Sequence, residues 1–344
     1  MDILEFLECG TIVDSGKGTC IIGWGKRTWL QKPLDSTTFY FPDFFLHAEK
    51  PWFVHEYNLE IKHQELQHLL KMHENAPVST IPWQNSAKLV FHNAFENLQS
   101  CFKSEKLQKA VPYIFENASI KMTPHHIFHA LISILEHAVK FPIFPYGFWG
   151  ESEGILGATP ELLFRISENK LHTVACAGTS LVEDADKMLD DVKLLHEHNL
   201  VIEGIRESLL PFGDFYPGST HVQKYSKLCH LITPISVKLT NQSPINEIIN
   251  VLHPTPALGA YPRPEGKLWL EEFNKLQPRG RFGAPAGYVQ QGNATFYVAI
   301  RNIQWQNNHI KLGAGCGIVP QSHLESEWNE ILLKIKSIKG IMSL

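Results

Sequence analysis

The stretch Leu162-Leu163-Phe164-Arg165-Ile166-Ser167-Glu168-Asn169-Lys170-Leu171-His172-Thr173-Val174-Ala175 decides the expected fold class. Two runs rich in apolar residues, 162–166 and 171–175, flank a polar turn at 168–170, and this pattern predicts a β-hairpin. A second hairpin is predicted where residues 296–303 turn at 307–308 into residues 310–313. Hairpins join neighbouring strands without a crossover helix, so both segments favour antiparallel sheets.

Helical segments stand apart from these hairpins along the chain. A helix is predicted to begin at Thr123, whose hydroxyl can cap it, with Pro124 in the first helical position. Further helices are predicted over residues 185–210 and 323–339, and Ser322 with Glu325 predicts a capping box for the last one. Strands in hairpins and helices elsewhere predict an α+β fold with antiparallel sheets. No predicted strand leads into a G-x-G-x-x-G or P-loop sequence, which disfavours dinucleotide and P-loop chemistry.

Composition narrows the class of protein and its partners. The chain has 344 residues, of which 44% are hydrophobic and 19% charged, with a formal net charge of −4. This is enough apolar material for a large core, and a slightly acidic chain without blocks of Lys and Arg is not expected to bind nucleic acid. An acidic N-terminus and no apolar run of about 20 residues indicate neither a secretion signal nor a membrane span. We therefore expect a cytoplasmic protein.

The cysteines give a second indication of the compartment. All six are scattered, with no C-x-x-C pair: Cys9, Cys20, Cys101, Cys176, Cys229 and Cys316. This spacing favours reduced thiols in the cytosol over a disulfide framework or a zinc site.

Three carboxylates on two predicted helices form a candidate cation site. Glu327, Glu330 and Lys334 lie on one narrow stripe of the last helix, where the carboxylates could bind a hard cation and the lysine an anion. The alternative is a solvated face with an ordinary i,i+4 Glu–Lys pair. Glu197 on the long middle helix could be a third ligand, and all-oxygen ligands suit Mg²⁺. The spacing does not show whether the two helices meet.

Glycines and one arginine form a candidate anion site. The glycine-rich run at residues 313–318 and the pair Gly178-Thr179 each follow a predicted strand, where bare backbone N–H groups could approach a ligand oxygen. Such turns are also common without a ligand. Arg301 lies in the predicted apolar strand 296–303, and a buried arginine there needs an anion, either a protein carboxylate or a substrate carboxylate.

A set of short motifs in one order resembles a known family. The chain carries Thr159-Pro160-Glu161-Leu162-Leu163, Ala177-Gly178-Thr179, Lys193 through His198, Lys227-Leu228-Cys229-His230-Leu231-Ile232-Thr233, Leu252-His253-Pro254-Thr255-Pro256-Ala257, Ala299-Ile300-Arg301, Gly313 through Val319, and Ser322 through Lys334. Together these motifs resemble the chorismate-utilising enzymes, which include isochorismate synthase, salicylate synthase and the chorismate-binding subunits of anthranilate and aminodeoxychorismate synthases.

The resemblance implies a fold and a domain organisation. It implies the chorismate-binding, aminodeoxychorismate synthase-like fold, with antiparallel sheets packed together and helices outside. The length alone suggests about two domains, but the motifs run through residues 106–339 without a break. We therefore expect one domain over residues 1–344, with residues 1–95 as a variable N-terminal part.

The resemblance also implies roles for individual residues. Glu197 and Glu330 match the direct Mg²⁺ ligands, Glu327 matches a supporting carboxylate, and Glu161 matches the general acid that protonates the departing C4 hydroxyl of chorismate. Positions around bound chorismate are matched by Gly178, Thr179, His230, Ala257, Arg301, Gly315 and Lys334.

The nucleophile separates the members of this family. Lys109 falls where the water-using members carry the lysine that activates the attacking water, although without the resemblance a lysine there would be read as a solvated surface charge. Ala177 stands where the aminodeoxychorismate type needs a lysine. The resemblance therefore favours an isochorismate synthase, an isomerase serving menaquinone or siderophore synthesis, without an obligatory glutaminase partner. The alternatives are a salicylate synthase, against which Phe282 argues slightly, and a chorismate-binding subunit of an amidotransferase complex.

Overall fold

A computed structural model of the chain describes residues 1–73, 80–84, 88–225, 228–240 and 244–343. The first residue of the motif that begins at Lys227 lies outside the described residues. In the described part, no helix combines the length and the apolar content that crossing a membrane requires.

The helices are α1 Ile3–Glu8, α2 His63–Lys71, α3 Lys88–Lys103, α4 Pro124–Lys140, α5 Val192–Leu209, α6 Ile245–Leu252, α7 Arg263–Leu276 and α8 Leu324–Met342, with short 3₁₀ turns at Val182–Lys187 and Leu210–Phe212. The strands are β1 Gly10–Asp14, β2 Thr19–Leu30, β3 Thr38–Tyr40, β4 Trp52–Lys62, β5 Lys109–Ala110, β6 Tyr113–Ala118, β7 Phe144–Trp149, β8 Glu153–Thr159, β9 Leu162–Ser167, β10 Lys170–Leu181, β11 Gly213–Pro217, β12 His221–Tyr225, β13 Leu228–Leu239, β14 Ala260–Tyr261, β15 Pro285–Gln290, β16 Asn293–Val298, β17 Asn302–Gln306 and β18 His309–Gly315.

Sixteen of these strands form one continuous sheet. Its order is β11-β13-β10-β9-β16-β15-β3-β4-β2-β1-β7-β8-β17-β18-β6, and β12 also pairs with β13. The pairs formed along this order are antiparallel, while β5 and β14 form a separate two-stranded ribbon. The expected α+β class with antiparallel sheets is confirmed.

The sheet curls so that its two halves pack against each other. β15 contacts β1 and β7, although β3, β4 and β2 separate β15 from β1 in the sheet order. An apolar cluster fills the space between the halves: Val13, Ile21, Phe39, Phe41, Phe53, Tyr146, Phe148, Ile155, Ala286, Tyr288, Tyr297 and Ala299. Burying aromatic side chains of this size is a large part of what stabilises such a core.

The first predicted hairpin is confirmed as β9 and β10, with Glu168 in the turn at a positive φ of 56°. β10 runs further than predicted, and its pairing with β13 shifts register between Ala177 and Thr179. Gly178 makes this bulge possible because its φ is 73°, a backbone conformation that other residues rarely adopt. The bulge lies at the rim of the cavity described below.

The second predicted hairpin is only partly correct. Residues 296–303 do not form one strand, because β16 ends at Val298 and β17 begins at Asn302. Between them the chain leaves the sheet: Ala299 accepts a hydrogen bond from Gly283 N–H, and Arg301 has a φ of 56°. Arg301 therefore does not lie within a strand, as the sequence predicted, but in the corner between two strands.

The helix predictions differ in accuracy. The Thr123 hydroxyl accepts a hydrogen bond from His126 N–H at the start of α4, as predicted. α5 begins at Val192, later than predicted, because Asp191 caps it and a 3₁₀ turn precedes it. The predicted capping box of α8 is wrong. The Ser322 hydroxyl instead accepts from Val319 N–H, and the cap residue His323 makes no side-chain bond to the helix.

The N-terminal strands lie in the middle of the sheet. β1 to β4 connect β15 on one side with β7 on the other. Phe53 in β4 is fully buried in the apolar cluster that both halves of the sheet share. We therefore propose that residues 1–344 form a single cooperative unit.

If the chain is one unit, calorimetry should show one unfolding transition whose calorimetric and van't Hoff enthalpies agree. Phe53→Ala should move that whole transition to lower temperature, since emptying a buried aromatic site costs about 3–5 kcal/mol. Leu4→Ala, at a position that is 64% exposed, is the control and should leave it in place. Two separate transitions in the wild type, or a split transition in Phe53→Ala, would contradict a single unit.

Candidate active site

A cavity opens at the ends of several elements. Its walls come from β10 at the bulge, from α5 and α8, from the corner at Arg301 and from the glycine-rich segment at the end of β18. The predicted site residues that line it are Glu161, Gly178, Thr179, Glu197, His230, Ala257, Arg301, Gly315, Glu330 and Lys334. The structure thus brings together residues that are far apart in the sequence.

Lys109 is buried just behind this wall. It lies in β5, and its side chain is 0% exposed. Its Nζ donates to the Pro256 carbonyl at 2.7 Å and lies 3.4 Å from Glu197 Oε1. Burial lowers the pKa of Lys109 against the opposing effect of Glu197. The alternative reading as a solvated surface charge is therefore wrong.

Glu161 occupies the tight turn between β8 and β9. Its backbone N–H donates to the Thr159 hydroxyl at 3.1 Å, and its side chain is buried, with 4% exposure for the residue. Burial raises the pKa of Glu161 to about 7, although Lys109 and Lys334 act in the opposite direction. A large fraction of this carboxyl group is therefore protonated at neutral pH.

Three glutamates at the site are each paired with one lysine. Besides the Lys109–Glu197 pair, Lys193 Nζ is 2.8 Å from Glu327 Oε1, and Lys334 Nζ is 2.7 Å from Glu330 Oε1. Lys193 lies in α5 and Glu327 in α8, so this pair shows that the two helices do meet. Glu197 also lies in α5, and Glu330 and Lys334 also lie in α8. Glu330 and Lys334 form the expected i,i+4 pair, but on a largely buried face rather than a solvated one.

The pKa values of Glu330 and Glu327 shift in opposite directions. Burial would raise the pKa of Glu330, but the adjacent Lys334 reverses this and holds it below its ordinary value. The pKa of Glu327 stays raised by burial and by the nearby Glu330, with Lys193 opposing. Glu327 Oε2 is also buried without a hydrogen-bond partner in the described residues. Such an oxygen is an unmet acceptor, because buried polar atoms normally find partners.

Gly317 lets the glutamate and the lysine approach the backbone. A Cβ at this position would lie 2.0 Å from Glu197 Oε1 and 2.9 Å from Lys109 Cε. Gly315, two residues earlier, accepts a hydrogen bond from Lys334 Nζ at 2.9 Å through its carbonyl. Gly317 of the glycine-rich run therefore makes room for charged side chains.

Arg301 is buried without an anionic partner. It is 7% exposed, and it donates to His230 Nε2 at 2.9 Å and to the Ser337 hydroxyl at 3.3 Å. Within the described residues it forms no ion pair with a carboxylate. The protein-carboxylate alternative for Arg301 is thus not met in the described structure, and its guanidinium faces the cavity.

A directed chain of hydrogen bonds leads from Arg301 to Thr179. Arginine only donates, so His230 accepts through Nε2 and carries its proton on Nδ1, from which it donates to Thr179 Oγ1 at 3.1 Å. Thr179 also contributes to lowering the pKa of Glu330. Burial, followed by Arg301 and Lys334, lowers the pKa of His230 well below its ordinary value, so its ring is neutral.

Sequence reasoning missed three contributors to this site. They are Lys193, which holds Glu327, the Pro256 carbonyl, which holds Lys109, and Gly317. All three lie inside quoted motifs, so the motifs marked the segments but not these contacts. Only the fold shows which atoms of a motif face a neighbour.

Comparison with known proteins shows the family to which the chain belongs. Residues 32–343 match the family model described as chorismate binding enzyme. The chain belongs to the chorismate-binding enzymes. The expected resemblance to this family is confirmed.

The chain is also similar to individual proteins of known name. The chain is 36% identical over 199 residues to the salicylate biosynthesis isochorismate synthase of Pseudomonas aeruginosa, covering 55% of this chain and 42% of that protein. It is 30% identical over 201 residues to isochorismate synthase EntC of Escherichia coli K12, covering 55% and 51%. The chain thus spans about half the length of these relatives. The solved structure of MenF, the menaquinone-specific isochorismate synthase of Escherichia coli, has the same fold, with a TM-score of 0.79 at 17% identity over 99% of this chain and 91% of that one.

Gly317→Ala tests the close approach at the cavity wall. The added methyl group should displace Glu197 from Lys109 and lower the free energy of unfolding by about 1–3 kcal/mol, as expected for an overpacked site. Gly340→Ala in α8 is the matched control, because a Cβ there meets nothing within 4 Å. Urea unfolding measures both variants. Equal stability of the two would show that the site has room at Gly317.

The raised pKa of Glu161 predicts a pH dependence of stability. The folded state holds this proton up to about pH 7, whereas the unfolded chain loses it near pH 4.5. The folded state therefore loses stability as the pH rises between these values, by about 3 kcal/mol at most for a shift of this size. Glu161→Gln should remove this loss, so that its advantage over wild type grows from pH 4.5 to 7 and then stays constant. Glu151→Gln, at an exposed carboxylate, is the control. The same advantage for Glu161→Gln at every pH would contradict the shift.

Proposed function

We propose that the protein is an isochorismate synthase, which replaces the C4 hydroxyl group of chorismate with a hydroxyl group at C2. The observation that carries the proposal is the buried Lys109 beside a cavity that Glu161 also lines. Water adds to C2 after giving a proton to one group, the ring double bonds shift, and the C4 hydroxyl leaves as water after taking a proton from the other. The reaction thus needs a base and an acid in one site.

Lys109 is the base in this proposal. A lysine can accept a proton only in its neutral form, and burial lowers the pKa of Lys109 in that direction. The Pro256 carbonyl fixes its amine at 2.7 Å, so the lone pair of the neutral amine has a defined direction. No solvated lysine would offer either property.

Glu161 is the acid. With a pKa of about 7 it retains its proton over much of the neutral range, while an ordinary glutamate would have lost it. After the reaction Glu161 is a carboxylate and Lys109 an ammonium. The proton returns to Glu161 before the next cycle, so neither group is consumed.

The positive groups of the cavity would bind the two carboxylates of chorismate. Arg301 is buried without an anionic partner, so a substrate carboxylate would supply the missing charge. His230 orients the guanidinium, and Thr179 in turn accepts a hydrogen bond from His230. Gly178, Ala257, Gly315 and Lys334 would complete the walls around the ring and its side chain.

The carboxylates of Glu197, Glu327 and Glu330 suit Mg²⁺. Glu197 and Glu330 would hold the ion and Glu327 would support it, since these are hard oxygen donors and Glu327 Oε2 still lacks a partner in the described residues. The ion would neutralise the second carboxylate of chorismate. Before it binds, Lys109 and Lys334 stabilise two of these glutamates, and Lys193 stabilises the third.

Water is favoured over ammonia as the nucleophile. Lys109 supplies a base for water, and Ala177 stands where the aminodeoxychorismate type would carry a lysine. We therefore propose that the enzyme needs no glutaminase partner and works in the cytoplasm. Its product would enter menaquinone or siderophore synthesis, as the names of its relatives suggest for those proteins.

The product assay tests the function directly. The protein is incubated with chorismate and Mg²⁺, with and without ammonium, and the products are separated by chromatography. Isochorismate as the only product is expected in both cases. Salicylate with pyruvate would instead indicate a salicylate synthase, and anthranilate formed only with ammonium would overturn the water mechanism.

Lys109→Ala tests the base. It should lower kcat by at least about 100-fold, the lower end of what general bases contribute, while calorimetry still detects chorismate binding. Lys106→Ala, three residues earlier and exposed, should keep wild-type turnover. Wild-type turnover in Lys109→Ala would remove Lys109 from the mechanism.

A further inference from the structure

A second cluster of potential ligands lies outside the cavity, in the N-terminal part of the sheet. Asp14 ends β1, Cys20 lies in β2 and His63 begins α2. All three are buried, and one ligand atom from each lies within 4.8 Å of the other two. None of them lines the active-site cavity. Among the described residues, Asp14, Cys20 and His63 are the group of three such side chains whose ligand atoms lie this close together.

The backbone fixes these residues near one another. Asp14 and Cys20 are direct cross-strand partners in the hairpin of β1 and β2, so their side chains leave the same face of the sheet. Cys20 also pairs with Ile61 of β4, two residues before His63. His63 N–H donates to the Gly18 carbonyl at 3.2 Å, which holds the start of α2 against the hairpin turn.

The Asp14 carboxylate is already oriented. Its Oδ1 accepts hydrogen bonds from Gly16 N–H and from the Tyr297 hydroxyl, the latter at 3.5 Å. Its Oδ2 points to His63 Nε2 at 2.7 Å. Metal-binding carboxylates in proteins are commonly fixed in this way, with one oxygen held by surrounding donors and the other left for the ion.

We propose that Asp14, Cys20 and His63 form a zinc site. A thiolate sulfur, an imidazole nitrogen and a carboxylate oxygen are the donors that Zn²⁺ takes in proteins, and three of them leave a fourth position for water. They differ from the all-oxygen set at the active site, which suits Mg²⁺. The two sites would therefore select different ions.

The contact between Asp14 and His63 needs only a small adjustment. In a tetrahedral site with bonds of about 2.0–2.3 Å, the ligand atoms lie about 3.3–3.6 Å from one another. The 2.7 Å contact between Asp14 and His63 would then open by roughly half an ångström as the ion comes between them. The Cys20 sulfur, which lies within 4.8 Å of both ligand atoms, would complete the set of three. Cys20 must also give up its proton, because burial and the Asp14 charge raise the pKa of its thiol in the metal-free protein.

Cysteine spacing could not show this site. It favoured reduced thiols over a zinc site because the chain has no C-x-x-C pair, and the cysteines of the structure are indeed free. The three proposed ligands come from separate elements that only the β1–β2–β4 pairing brings together.

Metal analysis of the full chain tests the proposal without using turnover. Protein produced with zinc in the medium and dialysed should contain about one zinc per chain by plasma mass spectrometry. Cys20→Ser and His63→Gln should each lose at least about nine-tenths of it. Cys101→Ser and His92→Gln, at other cysteine and histidine positions, should retain it.

Cobalt gives a readout that does not depend on any variant. Co²⁺ added to the metal-free wild-type protein should produce a sulfur-to-cobalt charge-transfer band, which requires a cysteine ligand and which Mg²⁺ bound at the active site cannot produce. A wild-type protein without zinc and without this band would overturn the proposal. Zinc that stays equally bound in Cys20→Ser and His63→Gln would overturn it too, since the ion would then lie elsewhere. Either result leaves the proposed isochorismate synthase activity untouched.

Discussion

The pairing of buried glutamates with lysines is the interaction on which the active site depends. Charged side chains that leave water lose several kcal/mol of solvation each, and removing one partner of such a pair costs about 3–5 kcal/mol. Glu327 and Glu330 are tolerated in the interior because Lys193 and Lys334 lie 2.8 and 2.7 Å from them, and Lys109 lies 3.4 Å from Glu197. These contacts connect β5, α5 and α8, three elements that are distant in the sequence. Charge compensation thus also fixes where the helices meet.

The same burial acts in opposite directions on the two groups proposed for acid and base chemistry. Loss of solvation disfavours any charged form, so it raises the pKa of Glu161 and lowers the pKa of Lys109. Both shifts favour the neutral acid and the neutral amine, which is the combination the proposed reaction uses. Attraction between the two charges opposes this, and in each case burial is the larger effect. A drier cavity would strengthen the combination further.

Local patterns predicted those elements that local interactions fix. The hairpin of β9 and β10 and the Thr123 cap of α4 follow from turn residues and hydroxyl capping within a few positions. The break at Arg301 does not, because hydrogen bonds from the distant segment at Gly283 and Ala284 pull the chain out of the sheet there. Local sequence does not reveal these distant hydrogen bonds, so the apolar run around Arg301 was predicted as one strand.

In the candidate site, too, local patterns predicted some features, whereas others depend on contacts between distant segments. The stripe of Glu327, Glu330 and Lys334 on one helix could be read from helical periodicity. That this stripe is buried, and that it meets Lys193 of α5, depends on how α5 and α8 pack against each other. Lys109 carries no periodic signal at all, since it lies in a strand of two residues. For Lys109 the family resemblance supplied what the pattern lacked.

Charge balance in the cavity explains why the net charge of the chain is a poor guide to its ligand. The whole chain carries −4, yet Lys109, Lys193, Lys334 and Arg301 gather around Glu197, Glu327 and Glu330, and the pKa of the nearby Glu161 is raised to about 7. Counted by formal charge, the four basic groups exceed these three carboxylates by one, and a neutral Lys109 removes that excess. A dianion alone would leave this cavity negative and a divalent cation alone would leave it strongly positive. The two together leave its charge unchanged, so in a medium of low dielectric constant each stabilises the binding of the other.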